Sequence, residues 1–268
     1  MPIKYGALLP HCPLLIPAIG KENIKLLETT IEAYKQVILK LKEKDISTVI
    51  VISPHGNKDE KKIIINESLK YDIRFSEFGD LSTKLSIASD LKLSQKIKDN
   101  QSLEKLFSFS DNNNLDYGSG VISYLLASDL NHLNFLNFNT SLKNLENNFE
   151  VGKSISHLIK KYEKNIAIIA SGDMSHCLNK NSPGGYSAKG AKFDSQVKEI
   201  INKDEDIKEN ILAINENLIK KANECGLKTL MFVLGVIDEY SYQAKVLNYQ
   251  DNLGIGYLSA SFENLQEK

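Results

Sequence analysis

The chain has 268 residues, 42% hydrophobic and 25% charged, which is material for one large α/β domain or two modest ones with a substantial core. Its 33 basic and 34 acidic residues leave a formal net charge of −1, so the overall charge gives no reason to expect a nucleic-acid partner. No apolar run approaches the roughly 20 residues that span a bilayer, and Pro2, Pro10, Pro13 and Pro17 break up any signal peptide. Neither a membrane nor nucleic acid is therefore an expected partner, and three cysteines without an export signal point to a reducing cytoplasm.

Ile3–Leu9 fits a first strand, stopped by Pro10-His11-Cys12-Pro13. From Lys21 to Lys44 apolar residues at Ile24, Leu27, Ile31, Tyr34, Val37, Ile38 and Leu41 recur every three or four positions, the period of an amphipathic helix. Thr48–Ile52 is a second strand running into Ser53-Pro54-His55-Gly56, and the order strand, helix, strand suggests a βαβ unit. Lys62–Ile65, Tyr71–Phe75 and Leu81–Ile87 are short β-prone pieces suited to hairpins or an antiparallel flap. Asp90 reads as the cap of a helix reaching Asn100. Asp116-Tyr117-Gly118-Ser119-Gly120 interrupts before a helix at Val121–Ser128, Leu133–Phe138 is a strand, and Leu145–Lys164 is helical.

Ile166–Ala170 is apolar without alternation, as in a strand covered on both faces, and it ends abruptly in Ser171-Gly172-Asp173-Met174-Ser175-His176. A turn cluster at Asn181–Tyr186 precedes helices at Ala188–Asn202, Ile207–Asn223 and Leu227–Ile237, then strands at Gln243–Tyr249 and Gly256–Phe262. No repeat, linker or composition break divides the chain. The expectation is a single α/β domain over residues 1–268, with a central, mostly parallel or mixed sheet flanked by helices.

In open α/β sheets ligands bind beyond the carboxyl ends of the strands, and three of the five histidines stand at such places: His11, His55 and His176. Taken singly each reads as a loop or capping residue; the recurrence is what carries the argument. If the three strands are parallel neighbours, the imidazoles face one crevice. His132, in a polar turn, and His157, on a helix, read as structural or solvent-facing.

Imidazoles converging with a carboxylate suit a non-haem Fe(II) site with positions left open, and Asp173 and Glu224, each at a glycine-containing break, are the candidate carboxylates. Cys12, Cys177 and Cys225 directly follow His11, His176 and Glu224, which raises a thiolate zinc site as an alternative. Against it, no cysteine pair has structural-zinc spacing, and cysteine is a common buried residue. GxGxxG, GxxxxGK[ST] and GxSxG are all absent, while a Ser–His–Asp triad through Ser171 or Ser175 stays open on spacing alone.

With these residues in view the chain resembles the LigB-type class III extradiol ring-cleavage dioxygenase superfamily, in the branch related to Memo and Ammecr-associated proteins. The matching segments are Gly6–His11 with Pro13–Pro17, Ile52–His55, Ser171–His176 and Glu224–Leu227, in the expected order across nearly the whole chain. The resemblance implies His11, His55 and Glu224 as metal ligands, His176 as the acid/base beside the metal, and Asp173 as support for His176. It implies Fe(II) as the metal, with Zn(II) or Cu as alternatives, and a small aromatic diol and O2 as substrates. Asp116-Tyr117-Gly118 stands where family members commonly carry Asp-His-Gly, so Tyr117 takes the place of a histidine that handles substrate or oxygen, as a hydrogen-bond donor. Cys12 stands where proline is more usual. The rival expectations are a Memo-like metal-binding protein without ring cleavage and a zinc-dependent hydrolase using the same ligands. A homo-oligomer and an Ammecr-type partner protein remain open as partners.

Overall fold

The computed structural model describes residues 2–268. Its strands are β1 (Ile3–Leu9), β2 (Thr48–Ser53), β3 (Ile63–Asn66), β4 (Lys70–Phe75), β5 (Asp80–Ala88), β6 (Phe107–Ser110), β7 (Asn134–Asn139), β8 (Ile166–Ser171), β9 (Tyr240–Gln250) and β10 (Tyr257–Glu267). Its α-helices are α1 (Pro17–Gly20), α2 (Glu28–Glu43), α3 (Leu91–Lys98), α4 (Tyr117–Asp129), α5 (Leu145–Ile159), α6 (Ala188–Lys203), α7 (Ile207–Leu212), α8 (Glu216–Ala222) and α9 (Leu227–Val236).

Among the described residues eight strands form one mixed sheet in the order β6-β3-β7-β2-β8-β1-β10-β9, and β4 and β5 pair separately as a hairpin. β7, β2, β8 and β1 run parallel to one another. Their carboxyl ends, Asn139, Ser53, Ser171 and Leu9, therefore lie at the same end of the sheet. β10 and β9 extend it antiparallel beyond β1, and β3 joins antiparallel to β7.

The apolar runs divide their side chains between two faces with the period of two that a strand imposes. Ile50 and Ile52 of β2, and Ile166, Ile168 and Ala170 of β8, join one core with α3, α5, α6 and α9. Val49 and Val51, with Ala167 and Ile169, join the other, beneath α2, α4 and the β4–β5 hairpin. Central strands covered on both faces need apolar residues at every position, which is why these stretches show no polar alternation.

On the first face α9, buried along almost its whole length, is wedged between the sheet and α5. The two helices approach backbone to backbone. A Cβ added at Gly152 would fall 2.2 Å from the Phe232 carbonyl oxygen, and one added at Gly235 only 2.0 Å from that of Phe149.

The single α/β domain with a mixed, helix-flanked sheet agrees with the sequence expectation, and the differences have local causes. Lys62–Ile65 joins the main sheet through Ile64 and Ile65 and is not part of the flap, and β6 beside it went unanticipated. The helix expected from Lys21 begins as a 3-10 stretch and becomes α-helical only at Glu28. The helix expected over Ile207–Asn223 is two, because the Asn215 side chain accepts from the Asn217 and Leu218 N–H groups and starts a new one. α4 starts at Tyr117 because Asp116 caps it, accepting from the Ser119 N–H.

Asp90 caps α3 as expected and does more. It is buried, and its carboxylate accepts from Leu93 N at 3.1 Å, Thr48 Oγ1 at 2.5 Å, Tyr162 Oη at 2.6 Å and Lys164 Nζ at 3.1 Å. Burial acts to raise its pKa, but these bonds outweigh it and hold the carboxyl below its ordinary value. The stabilisation is thus full above the unfolded carboxylate range and is lost as pH falls through the folded value. Asp90→Asn is expected to cost about 1 kcal/mol near neutral pH and to flatten the loss of stability between neutral and acid, read by urea unfolding across a pH series.

Candidate metal centre

The site forms where the four parallel strands end. Pro10 stops β1, and the Tyr34 hydroxyl of α2 donates to the Pro10 carbonyl at 2.7 Å, fixing the turn that presents His11. His11 is 1% exposed. Its Nδ1 lies 2.8 Å from Ser171 Oγ at the end of β8, and Ser171 Oγ lies 2.8 Å from the Gly118 carbonyl oxygen. A carbonyl only accepts, so the single hydroxyl proton of Ser171 goes to Gly118. Ser171 then accepts from His11 Nδ1–H, and His11 Nε2 is left with its lone pair facing the site.

His55 follows β2 on a turn held by Ser53, whose Oγ accepts from His55 N at 3.2 Å and donates to Asp116 Oδ1 at 2.6 Å. Asp116 also takes Asn139 Nδ2 at 2.8 Å, so one carboxylate ties the ends of β2 and β7 to the start of α4. His55 Nε2 lies 3.2 Å from His11 Nε2 and 2.8 Å from Tyr117 Oη. The Tyr117 ring stacks on His55 with centroids 4.4 Å apart and meets His11 and Phe78 edge-on. Phe78 comes from the tip of the β4–β5 hairpin, so the flap reaches the rim of the site.

Cys225 completes the group. Its Sγ lies 3.7 Å from His11 Nε2, and the ligand atoms of His11, His55 and Cys225 all fall within 4.8 Å of one another. Cys225 also belongs to a second, overlapping group with Asp173 and His176. Asp173 Oδ1 accepts from His11 N at 3.1 Å, and its Oδ2 stands 3.6 Å from His11 Nε2 and 4.0 Å from His176 Nε2. His176 is half-buried, and its Nδ1 is buried without a hydrogen-bond partner.

Glu224, expected as the third ligand, lines the same cavity as His55 and Cys225. Its Oε2 accepts from Leu227 N at 2.7 Å and caps α9, and no carboxylate oxygen of Glu224 belongs to either group. The neighbouring thiol is the one that lies in the group with the two imidazoles. The reason is a backbone contact: Gly172 and Gly226 pack so closely that a Cβ at Gly172 would lie 2.2 Å from Gly226 Cα. Cys225 N donates to the Asp173 carbonyl at 3.1 Å, and Asp173 N donates to Cys225 Sγ at 3.3 Å. These bonds fix which residue of the loop faces the site.

Burial dominates the electrostatics. It lowers the His11 pKa to about 3, and it lowers that of His55 to about 4 with help from the adjacent His11. Burial raises the Asp173 carboxyl, offset in part by His176 and the His11 N–H. It pushes the Cys225 thiol well up and holds the Tyr117 phenol protonated. Glu224 keeps partial solvent contact as a residue, yet burial around its carboxylate raises it to about 7.

Both imidazoles are therefore neutral. His11 Nε2 carries a lone pair, and His55 Nε2 lies within hydrogen-bond distance of both that lone pair and the Tyr117 hydroxyl. Two imidazole nitrogens 3.2 Å apart with a thiol beside them form a donor set that suits a cation. The residues present thus fit a metal ion: two imidazoles and a sulfur, with Ser171 orienting the first imidazole as outer partners of metal-binding histidines do.

Of the residues singled out in the sequence, His11, His55, His176, Asp173 and Tyr117 meet here, while exposed His132 and His157 do not. Ser171, Asp116 and Cys225 hold places in the site that their sequence positions alone do not assign. The signal for Cys225 was its place beside Glu224 in the Glu224-Cys225-Gly226 break.

A family model described as the catalytic LigB subunit of aromatic ring-opening dioxygenase matches residues 5–262, and the chain belongs to that family. The protein CA_C1420 of Clostridium acetobutylicum is 26% identical in an alignment of 263 positions that covers 93% of this chain and 55% of that protein. The chain thus spans about half the length of that relative. The crystal structure of the uncharacterized protein JW3007 from Escherichia coli K12 matches with a TM-score of 0.66 at 14% identity, covering 96% of this chain and 99% of that one. That likeness is one of fold. No helix among the described residues is long and apolar enough to cross a membrane.

Proposed function

We propose that the protein is a metal-dependent dioxygenase that opens the ring of a small aromatic diol with O2, using Fe(II) held by His11, His55 and Cys225. The observation that carries this reading is the convergence of those three donors at the end of four parallel strands in a chain of the LigB family. Iron bound there supplies the electronic path between diol and O2 and open positions for both.

The protein's own groups have separate tasks. Ser171 holds the proton of His11 Nδ1 so that Nε2 stays a donor to the metal. His176, the imidazole outside the first group, takes a proton from the diol and returns it later in the cycle. Asp173, 4.0 Å from His176 Nε2, balances the imidazolium formed in between. Tyr117 offers its hydroxyl as a donor at the rim, a role that suits its protonated state. The three free thiols accord with a reducing cytoplasm as the working compartment.

Cys225 also favours a second reading. Thiolates suit zinc and copper(I), so the same centre fits a Memo-like metal-binding protein without ring cleavage, or a zinc-dependent hydrolase. Metal analysis of protein purified without added metal, followed by anaerobic Fe(II) loading and a panel of diols with O2, separates the three. The yellow ring-opened product is the expected result. Full iron loading with no turnover of any diol overturns the dioxygenase reading, and turnover of a substrate without O2 favours the hydrolase. His176→Ala is expected to keep the metal and lose turnover; loss of metal would mean that His176 is a ligand.

A further inference from the structure

Of the three imidazoles at the strand ends, His176 is the least tethered by its own side chain. The His11 ring is held through Ser171, and the His55 ring stacks on Tyr117. His176 Nδ1, by contrast, is buried with no hydrogen-bond partner, and its Nε2 stands 4.0 Å from the Asp173 carboxylate. Neither a strand nor a helix carries the residue, since β8 ends at Ser171 and α6 begins at Ala188. Where this ring points is therefore set by the backbone of its turn.

Three successive amides of that turn go to three different places. Met174 N donates to the Gly256 carbonyl at 2.8 Å, Ser175 N to Asp194 Oδ1 at 2.8 Å, and His176 N to the Ala222 carbonyl at the end of α8 at 3.0 Å. Two of these acceptors are backbone carbonyls, which any sequence supplies. The third is a carboxylate on α6. Asp194 is buried, and its Oδ2 accepts from the Tyr249 hydroxyl at 2.7 Å. Lys198, whose charge acts on it, keeps its Nζ over the Tyr249 ring, 3.8 Å from the centroid. The carboxylate thus relies on hydrogen bonds in a place where burying an anion is unfavourable. Gly256 makes room for it, since a Cβ there would lie 2.0 Å from Asp194 Oδ2. A buried anion that holds one backbone amide next to His176 is a local conflict of the kind that functional sites carry.

We propose that Asp194 is a positioning residue: through the Ser175 N–H it fixes the turn that aims His176 at the metal centre, and Tyr249 in turn fixes Asp194. The inference rests on the acid/base role given to His176 above only for what the aim serves. The hold on the turn is independent of the substrate.

The test reads the placement of His176 without turnover. Diethylpyrocarbonate acylates accessible imidazoles, and mass spectrometry gives the rate at each histidine of the full chain. Exposed His132 and His157 serve as references, and buried His11 monitors the fold. Asp194→Ala is expected to raise the His176 rate about fivefold relative to His132 while His11 stays protected, because the freed turn opens locally. Asp194→Asn, whose amide oxygen still accepts from Ser175 N, restores the parent rate. With Fe(II) loaded and a diol that the parent turns over, Asp194→Ala keeps its metal, lowers kcat about 100-fold and leaves KM within about threefold.

A His176 rate in Asp194→Ala equal to that of the parent overturns the proposal, whatever happens to turnover. So does an Asp194→Asn variant as reactive at His176 as Asp194→Ala. If the parent turns over no diol, the diol reading fails, and the His176 rates still decide the role of Asp194. If Asp194→Ala does not fold, seen as loss of His11 protection, the decision passes to Tyr249→Phe, which keeps the carboxylate and frees its Oδ2. A His176 rate about twofold above the parent then supports the hold on the turn, and an unchanged rate overturns it.

Discussion

Cys225→Ala is expected to lose metal, while Glu224→Gln keeps it. The thiol is the third donor within 4.8 Å of both imidazoles, whereas no Glu224 oxygen belongs to that group and its Oε2 already accepts from the Leu227 N–H. Removing an outer partner of a metal-binding histidine costs roughly 10–100-fold in affinity, which is the range expected for Ser171→Ala. Removing the thiol itself is expected to exceed that range, read as metal per protein after gel filtration and as affinity against a competing chelator. Glu224→Gln is expected to stay near the parent affinity.

A pH dependence follows from the same groups. Burial holds the Cys225 thiol protonated well above its ordinary value, while His11 and His55, pushed down to about 3 and about 4, are neutral near pH 7. Binding at neutral pH therefore expels about one proton per metal, from sulfur, and affinity rises about tenfold per pH unit. Calorimetry in buffers of differing ionisation enthalpy measures that proton, and Cys225→Ala is expected to release none. Metal retained by Cys225→Ala and lost by Glu224→Gln would reverse the assignment.

Gly235→Ala is expected to destabilise the fold by about 2 kcal/mol, lowering the melting temperature by several degrees. At an exposed helical position the same change would stabilise by about 1 kcal/mol, because glycine is a poor helix former. Here the new methyl would lie 2.0 Å from the Phe149 carbonyl oxygen, and a backbone atom cannot swing aside as a side chain does. α5 and α9 must separate, and α9 carries the core residues Leu230, Phe232 and Val233 with it. Gly152→Ala, 2.2 Å from the Phe232 carbonyl, is expected to act in the same direction. A variant as stable as the parent in thermal and urea unfolding would mean that the two helices yield more easily than this contact implies.

The elements that set up the site were legible in the sequence because their signals are local. Unbroken apolar runs mark β2 and β8, and the proline that ends β1 or follows β2 places His11 and His55 beyond the strand tips. What was not legible depends on contacts distant in sequence. Nothing in Glu224-Cys225-Gly226 says which side chain faces the imidazoles; that is set by Gly172, more than fifty residues earlier, against Gly226. The orientation of His11 depends on a chain of bonds through Ser171 to the Gly118 carbonyl. β3 and β6 are four residues each; β3 owes its place to β7, and β6 owes its place to β3. The start of α4 did have a local signal: Asp116, three residues before Ser119, is an N-cap pattern that the glycines at 118 and 120 obscured.

The contact between Gly172 and Gly226 has a consequence for selectivity. A donor on a slack loop adapts to ions of many sizes, but the loop loses conformational entropy each time an ion orders it. With its backbone resting against the end of a central strand, the Cys225 loop gives up that freedom when the chain folds, and binding no longer carries the cost. The donors stand ready in one spacing, so an ion is chosen by how well it suits that spacing. Two residues without side chains thus turn an adaptable loop into a fixed gauge.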